Sequence, residues 1–124
     1  MKSAGAGTAS PSSANVIAFP RSIPLQVGFD RIELRRILDL YGRMVAAGMW
    51  RDYAMNFEKD AASFSAFRRA SERPQVRIEK RPALRGKQGM WTLFGEAGQV
   101  LKRGHDVGNV LVPLERKLLK LVEA

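Results

Sequence analysis

The spacing of hydrophobic residues changes twice along this 124-residue chain, and these changes restrict its fold more than any other feature. Over residues 31–47 apolar residues recur every three or four positions, which is typical of one face of an α-helix. From Trp50 to Arg103 they alternate with polar residues, which is typical of strands with one buried face. The helical spacing returns after Asn109. We therefore predict one α+β domain in which an antiparallel sheet of four or five short strands packs with an N-terminal and a C-terminal helix.

The first helix has signals at both of its ends. Asp30 and Glu33 have the spacing of a capping box, in which each side chain accepts a hydrogen bond from the backbone N–H group of the other residue. Gly48 is suited to the left-handed conformation that ends many helices. These signals place the helix at residues 31–47. Its apolar stripe is predicted to contain Leu34, Ile37, Leu38, Tyr41 and Val45.

Short apolar alternations predict the strands. The segment before the first helix fits a short strand with Leu25, Val27 and Phe29 directed inward. The loops between the later strands are too short for the crossovers that parallel pairs require, so we expect antiparallel neighbours and no helix within residues 74–103. The later strands are predicted near residues 53–57, 63–69, 76–81, 90–94 and 99–103.

The last helix is predicted to begin after Asn109, whose side chain is suited to capping. Pro113 then falls in the first turn, where a proline is tolerated because the N–H groups there have no helical partner. The apolar face of this helix is predicted to contain Val110, Leu111, Leu114, Leu118, Leu121 and Val122.

The N-terminal segment differs in composition from the rest. Residues 1–22 are rich in Ala, Ser, Gly and Pro, and such a segment buries too little apolar surface to offset the entropy of ordering. We therefore predict a disordered tail at residues 1–22, dispensable for folding, and a domain at residues 23–124. A secretory signal needs an apolar stretch of about 7–15 residues, longer than VIAF at 16–19. No apolar run approaches the roughly 18 residues that cross a bilayer, so we expect a cytoplasmic protein without a membrane partner.

The positive charge is concentrated in one part of the chain. Residues 68–103 contain ten basic and three acidic side chains, which gives +7 of the total net charge of +9. Residues 1–67 contribute +2, from eight basic and six acidic side chains, and residues 104–124 are neutral. The charge therefore belongs to the second half of the predicted sheet and not to a basic tail.

Alternation within that half predicts a basic sheet face. If the apolar residues of the strand near 76–81 face the core, Arg77 and Arg81 form a row on its other side, and antiparallel pairing brings Arg68 or Lys102 beside them. Because arginine matches the geometry of phosphate groups, this face is a candidate platform for nucleic acid, RNA or single strands above all, with little sequence preference. The residues predicted to contact nucleic acid are Arg68, Arg69, Arg77, Lys80, Arg81, Lys102 and Arg103.

Two other interpretations of this charge stay open. The face is either an ordinary solvated surface, partly neutralised by acidic neighbours such as Glu79, or it binds an acidic protein partner, which would make the chain a small adaptor or regulator. The sequence has none of the zinc-finger, KH or RNP patterns that identify nucleic-acid-binding domains. Trp91 and Phe94 have rings that stack on bases, but packing in the core is the favoured role of both.

No catalytic set is visible, so we expect no enzymatic activity, no cofactor and no metal site. His105 is the one histidine and a structural role is favoured for it, because the side chain of the adjacent Asp106 points elsewhere in most local conformations. No cysteine is present, and the acidic residues do not match a calcium or magnesium loop. Trp50 either joins Arg51 and Tyr53 in an exposed contact site for a protein or, as we favour, seals the core where helix becomes strand.

Four segments of the chain are distinctive enough to compare with known families: FDRIELRRILDLYGRMVAAGMWRDYAMNF, FSAFRRASERP, RIEKRP and LKRGHD. Together they resemble a bacterial family catalogued as domain of unknown function 2794. The resemblance covers residues 25–122. It implies a small, soluble, stand-alone bacterial domain, and it assigns no activity, cofactor or catalytic residue.

Overall fold

The computed structural model describes residues 25–69 and 72–123, so the predicted tail at residues 1–22 lies outside the described residues. Within the described part the chain forms two α-helices, five strands and one short 3₁₀ helix. In chain order these are α1 (Arg31–Ala46), β1 (Asp52–Phe57), β2 (Ala62–Phe67), β3 (Val76–Lys80), the 3₁₀ helix (Pro82–Leu84), β4 (Trp91–Phe94), β5 (Val100–Gly104) and α2 (Val107–Glu123).

The strands form one antiparallel sheet in which each strand pairs with the next along the chain, in the order β1-β2-β3-β4-β5. Short loops favour this order because they can join only neighbouring antiparallel strands. Both helices contribute buried side chains to a single core with the sheet, so the predicted α+β fold is confirmed. The most deeply buried large side chains are Ile37, Leu40, Met44, Phe64, Ile78, Trp91, Leu93 and Val110.

The register divides the sheet into two faces. Phe64 lies opposite Ile78, and Ile78 lies opposite Leu93. All three are at most 1% exposed and share the core with the helices, so their side is the covered face. The alternate residues point to the other side, against which neither described helix packs, and we call this side the open face. Its members are Asp52, Ala54, Asn56, Ser63, Ser65, Phe67, Arg77, Glu79, Thr92, Phe94, Val100 and Arg103.

The predicted ends of α1 are confirmed to within one residue. Asp30 Oδ1 accepts a hydrogen bond from the Glu33 N–H at 2.8 Å, and Glu33 Oε1 accepts one from the Asp30 N–H at 2.8 Å, which completes the capping box. The helix stops at Ala46, and Gly48 has a φ of 79°, the left-handed conformation that favours glycine.

The predicted apolar stripe of α1 is only partly correct. Ile37 is buried as predicted, but the other fully buried positions are Leu40 and Met44, and Val45 is 40% exposed. Ile37, Leu40 and Met44 have the spacing of a single stripe, which is rotated from the predicted one because the helix packs against α2 as well as the sheet. The half-buried members of the predicted stripe are Leu34, Leu38 and Tyr41.

The segment before α1 is not the strand that alternation predicted. Among the described residues, the segment is joined by a backbone hydrogen bond of 2.8 Å from the Val27 N–H to the Glu58 carbonyl, which lies beyond the end of β1. Phe29 is directed inward as predicted and contacts aromatic rings of both β1 and β4, whereas Leu25 is 89% exposed. The segment therefore lies across one end of the sheet and does not pair along an edge strand.

The start of α2 corrects a second prediction. The helix begins at Val107, and Asp106 Oδ1 accepts a hydrogen bond from the Asn109 N–H at 3.0 Å, so the capping side chain is Asp106 and not Asn109. Pro113 therefore lies in the second turn and not in the first. The sequence analysis considered only Asn109 for this role, to which Asp and Asn are equally suited.

The two helices run parallel, and this explains why the end of α2 is more exposed than predicted. Arg36 of α1 lies beside Gly108 of α2, and seven residues further along each helix Arg43 Nη2 lies 4.0 Å from Glu115 Oε2. Arg43 is three residues before the end of α1 at Ala46, whereas Glu115 is eight residues before the end of α2 at Glu123. The last turn of α2 therefore extends beyond the end of α1. Leu121 and Val122, predicted on the apolar face, are 42% and 67% exposed.

The 3₁₀ helix Pro82–Leu84 contradicts the expectation that residues 74–103 contain no helix. It is a single turn in the loop between β3 and β4, and its proline stands at the start, where the missing N–H group leaves no helical hydrogen bond unmade. The turn leaves the antiparallel pairing of β3 with β4 intact.

Candidate nucleic-acid interface

The structure separates the seven predicted contact residues into three groups. The first group is on the open face or at its end and contains Arg77, Arg81 and Arg103. The second follows β2, at the end of the sheet away from Arg81, and contains Arg68 and Arg69. The third contains two lysines on the side of the helices. The predicted row of Arg77 and Arg81 is therefore present, but the residue that joins it from the neighbouring strands is Arg103. The two lysines are Lys80 and Lys102.

Glu79 lies between Arg77 on β3 and Arg81, the residue that follows β3, and it binds both of them. Arg77 Nη1 donates to Glu79 Oε2 at 2.8 Å, and Arg81 Nε donates to Glu79 Oε1 at 3.4 Å. The side chain of Glu79 is 13% exposed, against 37% for Arg77 and 39% for Arg81. The carboxylate removes one unit of charge from the row, and it also holds the two guanidinium groups in defined positions while leaving part of each accessible.

Phe94 lies beneath Arg77 on the open face. The Arg77 Cζ atom is 4.1 Å from the centroid of the Phe94 ring, within the range of a cation–π contact. Packing in the core was favoured for both aromatic residues of β4. It is confirmed for Trp91, which is fully buried, and it is wrong for Phe94, which is half-buried on the opposite side of the sheet. Adjacent residues of a strand point to opposite faces, and these two are three positions apart.

Arg103 joins the open face through its neighbour on β4. Its Nη1 donates to the Thr92 hydroxyl oxygen at 3.3 Å, and Thr92, which is 2% exposed, lies opposite Glu79 in the sheet. Arg77 and Arg81 therefore bind the Glu79 carboxylate, and Arg103 lies on the far side of Thr92 from it, which gives these four charged residues a net charge of +2. Next to it on β5 are two exposed apolar residues, Val100 and Leu101.

The structure places Lys80 apart from these arginines and corrects its assignment to the same surface. Its Nζ donates to Glu33 Oε1 at 2.7 Å and to the Gly28 carbonyl at 2.8 Å, and its side chain is only 12% exposed. The ammonium group also lies 5.8 Å from the ring centroid of Trp91. Lys80 is thus an internal link between β3 and the start of α1.

Lys102 also departs from the expected arrangement. It lies opposite Leu93, on the side of the helices, although it is exposed because β5 is an edge strand. Between Phe94 and Leu93 the pairing with β5 shifts, because β5 contains one extra residue there. The residues of β5 after this point therefore lie on the opposite face from the one that regular alternation gives them.

Arg68 and Arg69 line a groove at the end of the sheet where α1 stops. The groove has a volume of about 670 Å³, and Arg51 forms its third basic wall. The sequence analysis did not assign Arg51 to this set. Because β1 and β2 form a hairpin, the residue before β1 lies beside the residues that follow β2, and the Arg51 N–H donates to the Phe67 carbonyl at 2.8 Å. The remaining lining residues are Val45, Gly48 and Trp50.

The aromatic segment that contains Trp50 is divided between core and surface. Trp50 is 2% exposed, so its favoured role in sealing the core is confirmed, whereas Tyr53 is 45% exposed. Tyr41 of α1 packs against both rings. Burial raises the pKa of the Tyr41 phenol above its usual value of 10.0, and the carboxylate of Asp52 and the Tyr53 phenol add to this increase.

The described residues hold no constellation that suggests catalysis. His105 is exposed in the turn before α2, and the carboxylate of the adjacent Asp106 is occupied in capping that helix. No group of three or more histidine and acidic side chains in the described ranges is arranged to hold a metal ion. Neither described helix is long and apolar enough to cross a membrane.

Comparisons with known proteins bear on the family and not on the chemistry of this surface. The sequence profile of the family described as "Protein of unknown function (DUF2794)" matches residues 27–111, which contain α1, the whole sheet and the start of α2. Comparison with curated proteins and with solved structures gave no match. Since the profile spans well over half of the chain and includes every residue of the open face, the chain belongs to the DUF2794 family of proteins of unknown function.

Proposed function

We propose that this domain binds nucleic acid, single-stranded RNA above all, through phosphate contacts on the open face and with little sequence preference. The observation that supports the proposal best is that Arg77 and Arg81, both bound to Glu79, share with Arg103 a sheet face that neither described helix covers. Guanidinium groups match phosphate oxygens in geometry and stay charged at any physiological pH.

A single strand fits this surface better than a duplex does. The open face is a sheet with a half-buried aromatic ring, and antiparallel sheets that bind RNA use such rings to stack unpaired bases. The groove lined by Arg51, Arg68 and Arg69 lies where β2 ends and α1 stops, and Val45 and Gly48 at the end of α1 also line it, so it is a second basic surface separate from the open face.

Salt dependence tests the proposal directly. Fluorescence anisotropy of labelled oligouridine and of duplex DNA is measured over a range of salt concentrations. If about five phosphates are neutralised, log affinity for the single strand falls against log salt with a slope of about −3.5. Binding no tighter than roughly 100 µM at physiological salt, the weak end of non-specific association, overturns the proposal.

A pair of matched variants locates the binding surface. In Arg77→Gln/Arg81→Gln the amide groups can still donate to Glu79, so the carboxylate keeps partners while two charges are lost. We expect this variant to weaken binding to every sequence alike and to flatten the slope by about 1.4 units. The control, Arg116→Gln/Lys117→Gln, removes two exposed charges from α2 and should leave the slope unchanged. Equal effects of the two variants contradict an interface on the open face.

An acidic protein partner is the second candidate function, and one observation favours it. Val100 and Leu101 are 45% and 44% exposed beside the arginines, and interfaces between proteins combine apolar residues with arginine. Affinity purification with and without nuclease separates the two candidates. Nuclease-resistant capture of one defined protein, followed by direct binding of that purified protein, supports the second candidate, and capture that nuclease abolishes supports the first.

A further inference from the structure

Arg77 is held differently from the other arginines of the open face. The Phe94 ring lies 4.1 Å from its Cζ atom on one side, and Glu79 Oε2 lies 2.8 Å from its Nη1 at the edge of the guanidinium group. Its side chain is nevertheless 37% exposed. Because two contacts already fix the group, little side-chain entropy remains to be lost when a ligand binds to its free surface.

We infer that Arg77 and Phe94 form a stacking platform for one unpaired nucleobase, which lies on the guanidinium surface opposite the phenyl ring. This inference rests on the proposed function and specifies its ligand as a strand with unpaired bases, rather than any polyanion. Proteins that bind single-stranded RNA stack bases on aromatic rings and on arginine planes, and a base has such a face whatever its identity. The platform therefore adds affinity without adding sequence preference.

The residues around the platform leave room for a base. Ser65, directly opposite Arg77 on β2, is small, and Val100, opposite Phe94 on β5, is apolar and exposed. A flat base can therefore lie over Arg77 between Ser65 and Val100, and the half-buried Phe67 lies on the same face two residues beyond Ser65.

The arginines then have separate roles. Glu79 already occupies the nearest N–H edge of Arg77, so the accessible part of that residue is suited to stacking. Arg103, whose only side-chain partner among the described residues is the Thr92 hydroxyl, retains donors for a phosphate. Arg81 binds Glu79 at 3.4 and 3.5 Å, a weaker contact that a phosphate can replace.

The same substitution at two positions tests whether Arg77 stacks on a base while Arg103 contacts a phosphate. Arg77→Lys keeps the charge and a donor for Glu79 but removes the planar surface, and the matched control Arg103→Lys makes the same change at a proposed phosphate contact. Binding is measured to oligouridine and to inorganic polyphosphate, which has charge but no bases. We expect Arg77→Lys to weaken oligouridine binding by about 5- to 150-fold, the usual range for one stacked base, with polyphosphate affinity and salt slope unchanged. Arg103→Lys should change both affinities by the same factor, since the phosphate that it contacts is present in both ligands.

A second measurement is independent of variant stability. The fluorescence of 2-aminopurine in an oligouridine strand responds to stacking, and we expect the wild-type protein to change it and Arg77→Lys to abolish that change. If Arg77→Lys weakens oligouridine and polyphosphate binding equally, or if the wild-type protein binds the two ligands equally tightly without a fluorescence change, the stacking platform is refuted while anion binding stands. If the wild-type protein binds neither ligand, the proposed function itself fails.

Discussion

Lys80 connects the sheet to the start of α1, and its replacement by methionine gives the sharpest test of how the domain is held together. Glu33 Oε1 accepts hydrogen bonds from two donors, the Lys80 ammonium at 2.7 Å and the Asp30 N–H at 2.8 Å. Lys80 also donates to the Gly28 carbonyl. One cation thus joins the capping box of α1, the segment before it and the end of β3. Lys80→Met keeps most of the apolar stem and removes only the charge and its donors.

The expected loss of stability follows from the burial of both partners. The side chains of Lys80 and Glu33 are 12% and 14% exposed, so the pair lies between a surface ion pair and a fully buried one. Removing one partner of a buried pair costs about 3–5 kcal/mol, and an exposed pair contributes about 0–1 kcal/mol. The remaining access to water, and the Asp30 N–H that Glu33 keeps, favour the lower end of the buried range. We therefore expect Lys80→Met to lower the free energy of unfolding by about 3 kcal/mol.

Thermal and urea unfolding followed by circular dichroism measure this loss. For a domain of this size about 3 kcal/mol corresponds to a decrease in Tm of roughly 12–24 °C. Glu33→Gln, which keeps an acceptor for the Asp30 N–H, completes a double-mutant cycle, and its coupling energy with Lys80→Met should be about 1–2 kcal/mol. Arg43→Met is the control, because Arg43 and Glu115 are 4.0 Å apart with side chains 58% and 46% exposed. It should cost less than about 1 kcal/mol.

Two results would refute this reasoning. If Lys80→Met costs no more than Arg43→Met, the internal ion pair does not hold the sheet to α1. If Lys80→Met folds but loses affinity for oligouridine as strongly as Arg77→Gln/Arg81→Gln, Lys80 acts at the binding surface despite its burial. We expect the affinity of a folded Lys80→Met variant to equal that of the wild-type protein.

Two further predictions concern stability. Asp106→Ala removes the cap of α2 and should lower the free energy of unfolding by about 1 kcal/mol in urea titrations, whereas Asn109→Ala should change it by a few tenths at most; the reverse order would restore Asn109 as the cap. For Tyr41, the raised pKa in the folded protein means that the neutral phenol stabilises the fold below pH 10.0 and that this contribution is lost as the pH rises through the raised value. Wild-type protein should therefore lose stability between pH 9 and pH 11 more steeply than Tyr41→Phe does, and parallel pH profiles of the two proteins would contradict this assignment.

Local signals predicted the elements better than they predicted the contacts between them. The capping box at Asp30 and Glu33 depends only on residues three apart, and the structure reproduces it. Which face of α1 is buried depends on how the helix packs against α2 and the sheet, and this packing buries Leu40 and Met44 and leaves Val45 exposed. The same distinction explains why the exposure of the end of α2 was not predicted.

Two local rules disagreed about Lys80, and the structure shows which one prevails. Counting charge grouped it with its basic neighbours, whereas alternation places it on the side of Val76 and Ile78, two residues of the core. An ammonium group on a covered face needs partners, and here Glu33 and the Gly28 carbonyl supply them. These partners are about 50 residues away in the sequence, so they depend on long-range packing and could not be predicted from local patterns.

The composition of the open face depends on a single inserted residue in β5. Phe94 lies opposite Val100, and Leu93 lies opposite Lys102, so Leu101 is the extra residue of a bulge. In a regular ladder Leu93 would face Leu101, and Lys102 would then share the side of Phe94 and Arg77. The bulge instead brings Arg103 to that side and turns Lys102 toward the helices. Alternation read from the sequence assumes an unbroken strand, so it predicted Lys102 or Arg68 beside Arg77 and Arg81, whereas the structure places Arg103 on that side. The structural consequence is that every basic residue around Glu79 is an arginine, the residue type best suited to binding phosphate and to stacking on a base.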